Sequence, residues 1–254
     1  MTDHLRAEWT KIRTLPGTGR LLVTIVALTV AGSVTASALV SCTGEACGYD
    51  PAVIGLFGVQ VSQAVVAILA VLMVAGEYGT GMIALTLTAM PDRIRVLAAK
   101  AIVLAGLTLV TGGVAVLASV PVTRRLLLGN GFAPEALVLT AGPMPRAVVG
   151  SVLYLTLIAL FSLGVATAVR DSATAIGVVL GLLYLFPALI LLVGDEGWQR
   201  TLWQISPMNA GLAVQSTTNL AALPLSPWAG LGVPAAWAAA ALVGGGLSFR
   251  ARDA

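Results

Sequence analysis

The sequence predicts an all-helical integral membrane protein, on three observations. Hydrophobic residues make up 58% of the 254 and charged residues only 10%. A soluble domain carries about 25% charged residues, so a soluble fold of this size has too few charges to cover its surface. A mean hydropathy of +0.97 points the same way. Lipid must then solvate much of the chain. Second, the apolar residues gather into six long runs. Third, Lys and Arg, which give a net charge of +3, cluster in short segments between those runs. That is a topology signal and not a nucleic-acid footprint, because no soluble basic face is available.

Residues 1–20 come first and are polar and basic. Leu5, Trp9 and Ile12 recur at helical spacing, with Arg6, Lys11 and Arg13 off the stripe. This predicts a short amphipathic helix for a membrane surface. Asp3 is placed to cap it, and Pro16-Gly17 to end it. The spans follow at about 21–41, 53–76, 96–120, 147–169, 173–193 and 227–249. Each approaches or exceeds the roughly 20 residues that cross the hydrocarbon core. Each must be helical, since lipid cannot satisfy unpaired backbone groups. The first run is too long for a signal-peptide apolar region of about 7–15 residues.

With the N-terminus inside, ten Lys and Arg residues fall on the cytoplasmic side and four outside. That is the positive-inside pattern. It places both termini in the cytoplasm and the chain in the cell membrane. The outer segments are then 42–52, 121–146 and 194–226. Cys42 and Cys47 share the first and, in an oxidising compartment, form a candidate disulfide. The third is too apolar for a plain loop. Trp198, Leu202, Trp203 and Leu220, broken by Gly and Pro, suggest short helices on the outer leaflet with the tryptophans at headgroup level. On the inside, residues 77–95 hold a short helix-compatible stretch, 82–90, stopped by Pro91. Too short to span, it lies at the membrane face, where another protein can touch it.

Absences limit the chemistry. With one histidine and two cysteines, no metal site is expected. There is no phosphate-cradling GxxxxGK[ST] loop, so the chain binds no ATP by that route and is not an enzyme on its own. The spans carry almost no ionisable residues, which speaks against an ion-coupled carrier and for an energy source outside the chain. Gln60 and Gln63 share a face of the second span and either line a pathway or hydrogen-bond between helices. Gly177 and Gly181 form a GxxxG in the fifth span, where backbones can approach closely within the bundle or between subunits.

At this point the chain resembles the permease subunits of type-two ABC exporters, especially small actinobacterial ones. The likeness rests on the opening Leu5-Arg6-Ala7-Glu8-Trp9-Thr10-Lys11-Ile12-Arg13-Thr14 and the junction Gly76-Glu77-Tyr78-Gly79-Thr80-Gly81-Met82-Ile83. It rests also on the six-span order with a semi-apolar loop before the last span, and on the basic tail Arg250 to Ala254. It covers the whole chain as one permease domain, 1–254. The resemblance implies two permease chains, identical or related, paired in lipid with two copies of a separate cytoplasmic ATPase subunit. ATP and magnesium would be held by that subunit and no cofactor by this one. It implies a coupling helix within 81–95, with Glu77, Tyr78, Gly81, Met82, Thr86, Pro91, Asp92, Arg93 and Arg95 meeting the ATPase. Leu5, Trp9 and Ile12 would seat the surface helix, and Gly177 and Gly181 would lie at the dimer interface. The charge-poor spans suit a hydrophobic or amphipathic cargo such as a lipid, peptide antibiotic or drug. Two rival readings are a motor-independent carrier or channel and a membrane subunit that transports nothing.

Overall fold

The computed structural model of the chain describes residues 2–14, 16–42, 48–79, 92–134 and 142–251. Regular structure among them is entirely helical. Helix α1 (Thr2–Thr14) leads to α2 (Pro16–Leu39). A short α3 (Pro51–Gly55) precedes α4 (Phe57–Gly79), and then come α5 (Arg93–Gly129) and α6 (Met144–Val169). Helix α7 starts as Ser172–Leu180, widens into a π-helical turn at Gly181–Leu185, and continues as Phe186–Ile190. The short α8 (Glu196–Ile205) and α9 (Pro207–Leu212) precede α10 (Pro227–Ala251). Six helices, α2, α4, α5, α6, α7 and α10, are long and apolar enough to cross a membrane. The chain is a multi-pass membrane protein. Six crossings return it to the end where it began, called here the terminal end.

Helix α6 is the axis of the bundle. In its apolar stretch 67% of residues are buried, against 22% in α2. Tyr154, Leu155, Ile158 and Leu163 are fully enclosed. The hydroxyls on α6 cannot reach water, so they bond back to their own helix: Ser151 to Ala147 O, Thr156 to Val152 O, Ser162 to Ile158 O and Thr167 to Leu163 O. Glycines set the crossings. A Cβ on Gly164 would stand 2.4 Å from the backbone of Ala241, and one on Gly245 2.6 Å from Gly164 O. Helices α6 and α10 therefore touch backbone to backbone. The same holds where Gly58 of α4 meets α2, since a Cβ there would lie 1.8 Å from Thr29 O. Thr29, Ser33 and Ser37 form the small buried seam of α2, and Ser33 Oγ accepts the Gly58 N–H at 3.0 Å.

Several boundaries differ from the sequence expectation. The second crossing starts at Phe57 and not at 53, because Asp50 caps a separate turn, α3, by accepting from the Ala52 and Val53 amides. Residue 121 was expected to open a loop. Instead α5 runs through Pro121 to Gly129, since the turns beyond it bury Thr123 and Leu127. The cost of the missing proline N–H is outweighed by that packing. Pro187 in α7 has another remedy. Its ring excludes a normal bond to Leu183 O, and the helix widens just before it, with the Phe186 N–H donating five residues back to Gly181 O.

The far end is tied by polar caps. Asn130 donates to Ser37 O and Val40 O and accepts from the Cys42 N–H at 2.8 Å, closing the end of α2. Gly131 turns the chain there with φ +89°, and a Cβ on it would sit 2.6 Å from Cys42 O. Asp50 also accepts from the backbone and hydroxyls of Thr217 and Thr218, joining 48–50 to the segment before α10.

Candidate functional site

Among the described residues, the charged side chains that pair inside the bundle do so at the terminal end. Lys100, two turns into α5, has a side chain only 3% exposed. Its ammonium donates to Glu77 Oε1 at 2.6 Å and to Glu8 Oε2 at 2.8 Å. Lys11 completes the square, donating to Glu77 Oε1 at 2.9 Å and to Glu8 Oε1 at 3.1 Å. Two carboxylates and two ammoniums sum to zero charge, and that is the condition for burying them. For Lys11, burial pulls the pKa down, but the carboxylates of Glu77 and Glu8 outweigh it and hold the ammonium above its ordinary value of 10.5.

The crossing expected at 96–120, in α5, holds one ionisable group, Lys100, near its terminal-end start. In α1 the residues Leu5, Trp9 and Ile12 do not share one level of burial. Ile12 is 7% exposed, but Trp9 is 47% exposed and Glu8 only 4%. Leu5 is half-buried. The inward face of α1 holds Glu8, Lys11 and Ile12 because the ion pairs reward that rotation. The composition carried a signal: Lys11 and Lys100 are the only lysines among 14 basic residues. A lysine ammonium is a compact point charge with three donors, and each of these two donates to both carboxylates.

Glu77 and Tyr78 are neighbours at the end of α4 and point to different partners. Glu77 ties α4 to α1 and α5. Tyr78 lies under the Arg170 guanidinium, 5.4 Å from ring centroid to Cζ. Arg170 also donates to Ser248 O at 3.1 Å, which brings in α10. Arg170 itself ends α6 in the left-handed region at φ 66°, a conformation uncommon for a residue with a Cβ. The last turn of α4 thereby links five helices. Asp92 caps α5 through the Arg95 N–H and pairs with the Arg95 side chain at 2.9 Å. Both are well exposed, so that pair adds little. Arg93 is half-buried. Gly81, Met82, Thr86 and Pro91, with the expected helix 82–90, lie outside the described residues.

The level of the cluster can be placed. Helix α5 rises about 36 Å between Lys100 and Arg124 at 1.5 Å per residue, close to the roughly 30 Å of a hydrocarbon core. The ions therefore sit near the terminal end of a helix long enough to cross, not at its middle. Beside them is a cavity of about 380 Å³, its polar wall formed by Glu8, Lys11, Glu77 and Thr18 and its apolar wall by Leu69 and Met73, among others.

Other predicted residues are placed as follows. Gln63 is fully buried; its carbonyl accepts from the Tyr154 hydroxyl and its amide meets Met208 Sδ at 3.1 Å. Gln60 is half-buried, and its backbone carbonyl accepts from Tyr184 at 2.7 Å. Gly177 is exposed on α7 and Gly181 is half-buried beside a cavity lined by Phe161 and Trp237; a Cβ on either meets nothing within 4 Å among the described residues. Cys42 is disulfide-bonded, and Cys47 lies outside the described residues.

Compared with known proteins, the chain matches no family model and no curated relative.

Proposed function

We propose that this chain is the membrane-spanning permease subunit of an ATP-driven exporter, moved by a separate ATPase that docks at the terminal end. One observation carries the reading. The Glu77–Lys100 ion pair, 2.6 Å long, closes the two ends of segment 80–91, and the same four-residue cluster clamps α1 onto them. A push on that segment therefore acts on α1, α4 and α5 together, and through Tyr78 and Arg170 on α6 and α10. The absence of a phosphate-cradling loop in the sequence supports an external engine. Under this reading the terminal end is cytoplasmic, as the excess of Lys and Arg there favours. Gly177 and Gly181 present the close-approach face for a second permease chain, and α8, with Trp198 exposed, rests on the outer leaflet. The cargo is hydrophobic or amphipathic.

A motor-free carrier fits less well. Such proteins keep ionisable groups on the ion path near midplane, whereas this cluster is neutral, near one end of the crossing helices and internally paired. Purification of the tagged chain from its native membrane tests the proposal. A subunit with a P-loop should copurify in near-stoichiometric amount. A preparation that holds only this chain contradicts it.

A further inference from the structure

We propose that the exposed side of α5 docks an anionic phospholipid, whose head is held by Arg124 and Arg125. The helix has two unlike sides. Ser119, Thr123 and Leu127 are buried against the bundle. On the opposite side Val110, Val114 and Leu117 are 68%, 54% and 62% exposed, and Pro121, Arg124 and Arg125 are exposed as well. At 3.6 residues per turn these six fall within about 60° either side of one line along the helix. Residues 101–123 hold no Asp, Glu, Lys or Arg, so the arginines are the first charges met where the apolar track ends. From Val114 to Arg124 is about 15 Å of helix, half of a hydrocarbon core of about 30 Å. That is the depth of one leaflet's acyl chains, with the arginine pair at the level of the head.

Charge selects the occupant. The ion pairs among the described residues join Glu8, Lys11, Glu77 and Lys100, and Asp92 with Arg95. Arg124 and Arg125 take part in none of them, and α5 contains no Asp or Glu. Asp50 and Asp195, carboxylates of the far end, already accept from Thr217, Thr218 and the Trp198 amide. Two adjacent guanidiniums repel each other, and each presents a planar fork that fits phosphate. A second copy of this chain is a poor cover, because two-fold pairing through this face brings four guanidiniums to one level. A water-soluble acidic partner matches the arginines but not the apolar track that leads to them. A phospholipid of net negative charge matches both. A zwitterionic lipid carries its own cation beside the phosphate and gains less.

This inference does not depend on the ATPase reading, and its test uses this chain alone. The full-length protein in mild detergent is given equimolar phosphoglycerol and phosphocholine lipids of identical acyl chains and weighed by native mass spectrometry. The phosphoglycerol lipid should be retained about tenfold more, an effect that two arginines beside an anionic head supply. The Arg124→Gln/Arg125→Gln double variant should lose most of that preference, with a melting temperature near wild type because both side chains are exposed. Arg6→Gln/Arg13→Gln makes the same change of net charge at the other end and should leave the preference in place. Glycerol phosphate, which lacks acyl chains, should not displace the lipid. Equal retention of the two lipids by the wild type would overturn the proposal. So would an unchanged preference in the folded Arg124→Gln/Arg125→Gln protein, an equal fall in the Arg6→Gln/Arg13→Gln protein, or displacement by glycerol phosphate. Should the first double variant fail to fold, Arg125→Gln alone takes its place, with the same reading of its outcomes.

Discussion

Lys100 is the residue on which the terminal end turns. It is buried against two carboxylates contributed by two different helices. Taking one partner from a buried ion pair leaves charge uncompensated and costs about 3–5 kcal/mol. Lys100→Met should therefore lower unfolding stability by about that much, and adding Glu77→Gln should recover part of the loss. A thermal unfolding series checks this; full additivity of the two substitutions would mean that they do not share a network. Lys11 gives a pH prediction. Its folded pKa lies above the unfolded value, so its stabilising effect is complete below 10.5 and is lost only as pH rises through the higher folded value. The distance between spin labels on Arg6→Cys and Arg124→Cys should stay constant from about pH 6 to about pH 9 and lengthen only in strong alkali, above 10.5. A change near neutrality would show that Lys11 does not hold α1. Beyond the rarity of lysine, these roles were not legible in the sequence. Hydropathy averages over windows, so a single lysine inside an apolar run reads as an edge, and the matching carboxylates stand 23 and 92 residues away.

At the scale of elements, glycines separate inward contacts from outward ones. Gly58→Ala and Gly164→Ala drive a methyl into neighbouring backbone and should each cost about 1–3 kcal/mol of overpacking. Gly177→Ala and Gly181→Ala meet open space and should leave the isolated bundle as stable as before. Melting temperatures of the four variants check this; a large loss at Gly177 would place it inside the fold. Six apolar runs were enough to find the six crossings, because lipid demands both length and helicity. Their ends were less legible. Pro121 reads as a stop, yet Thr123 and Leu127 bury beyond it and carry the helix on. Asp50 reads as a loop residue, yet it caps α3 and grips Thr217 and Thr218 from afar. Long-range partners decide such cases, and no local pattern contains them. The same blindness applies to α1, whose spacing suggests an apolar face but whose orientation is set by ions.

For the whole molecule, two ends of different character emerge. The far end is fastened by neutral caps and by a carboxylate gripping threonines. The terminal end is fastened by ion pairs gathered around the last turn of α4, next to segment 80–91. On the proposed function, the ion-paired end is the one that moves, since such pairs can exchange partners, and the capped end stays put. The central claim is that the chain transmits motion and does not generate it. Transport of a fluorescent amphiphile against its gradient in sealed vesicles tests this most directly, with this chain reconstituted alone or with the ATPase that the proposed function expects to copurify. ATP-dependent accumulation is expected only when that ATPase is present. Uphill movement by the chain alone would contradict it.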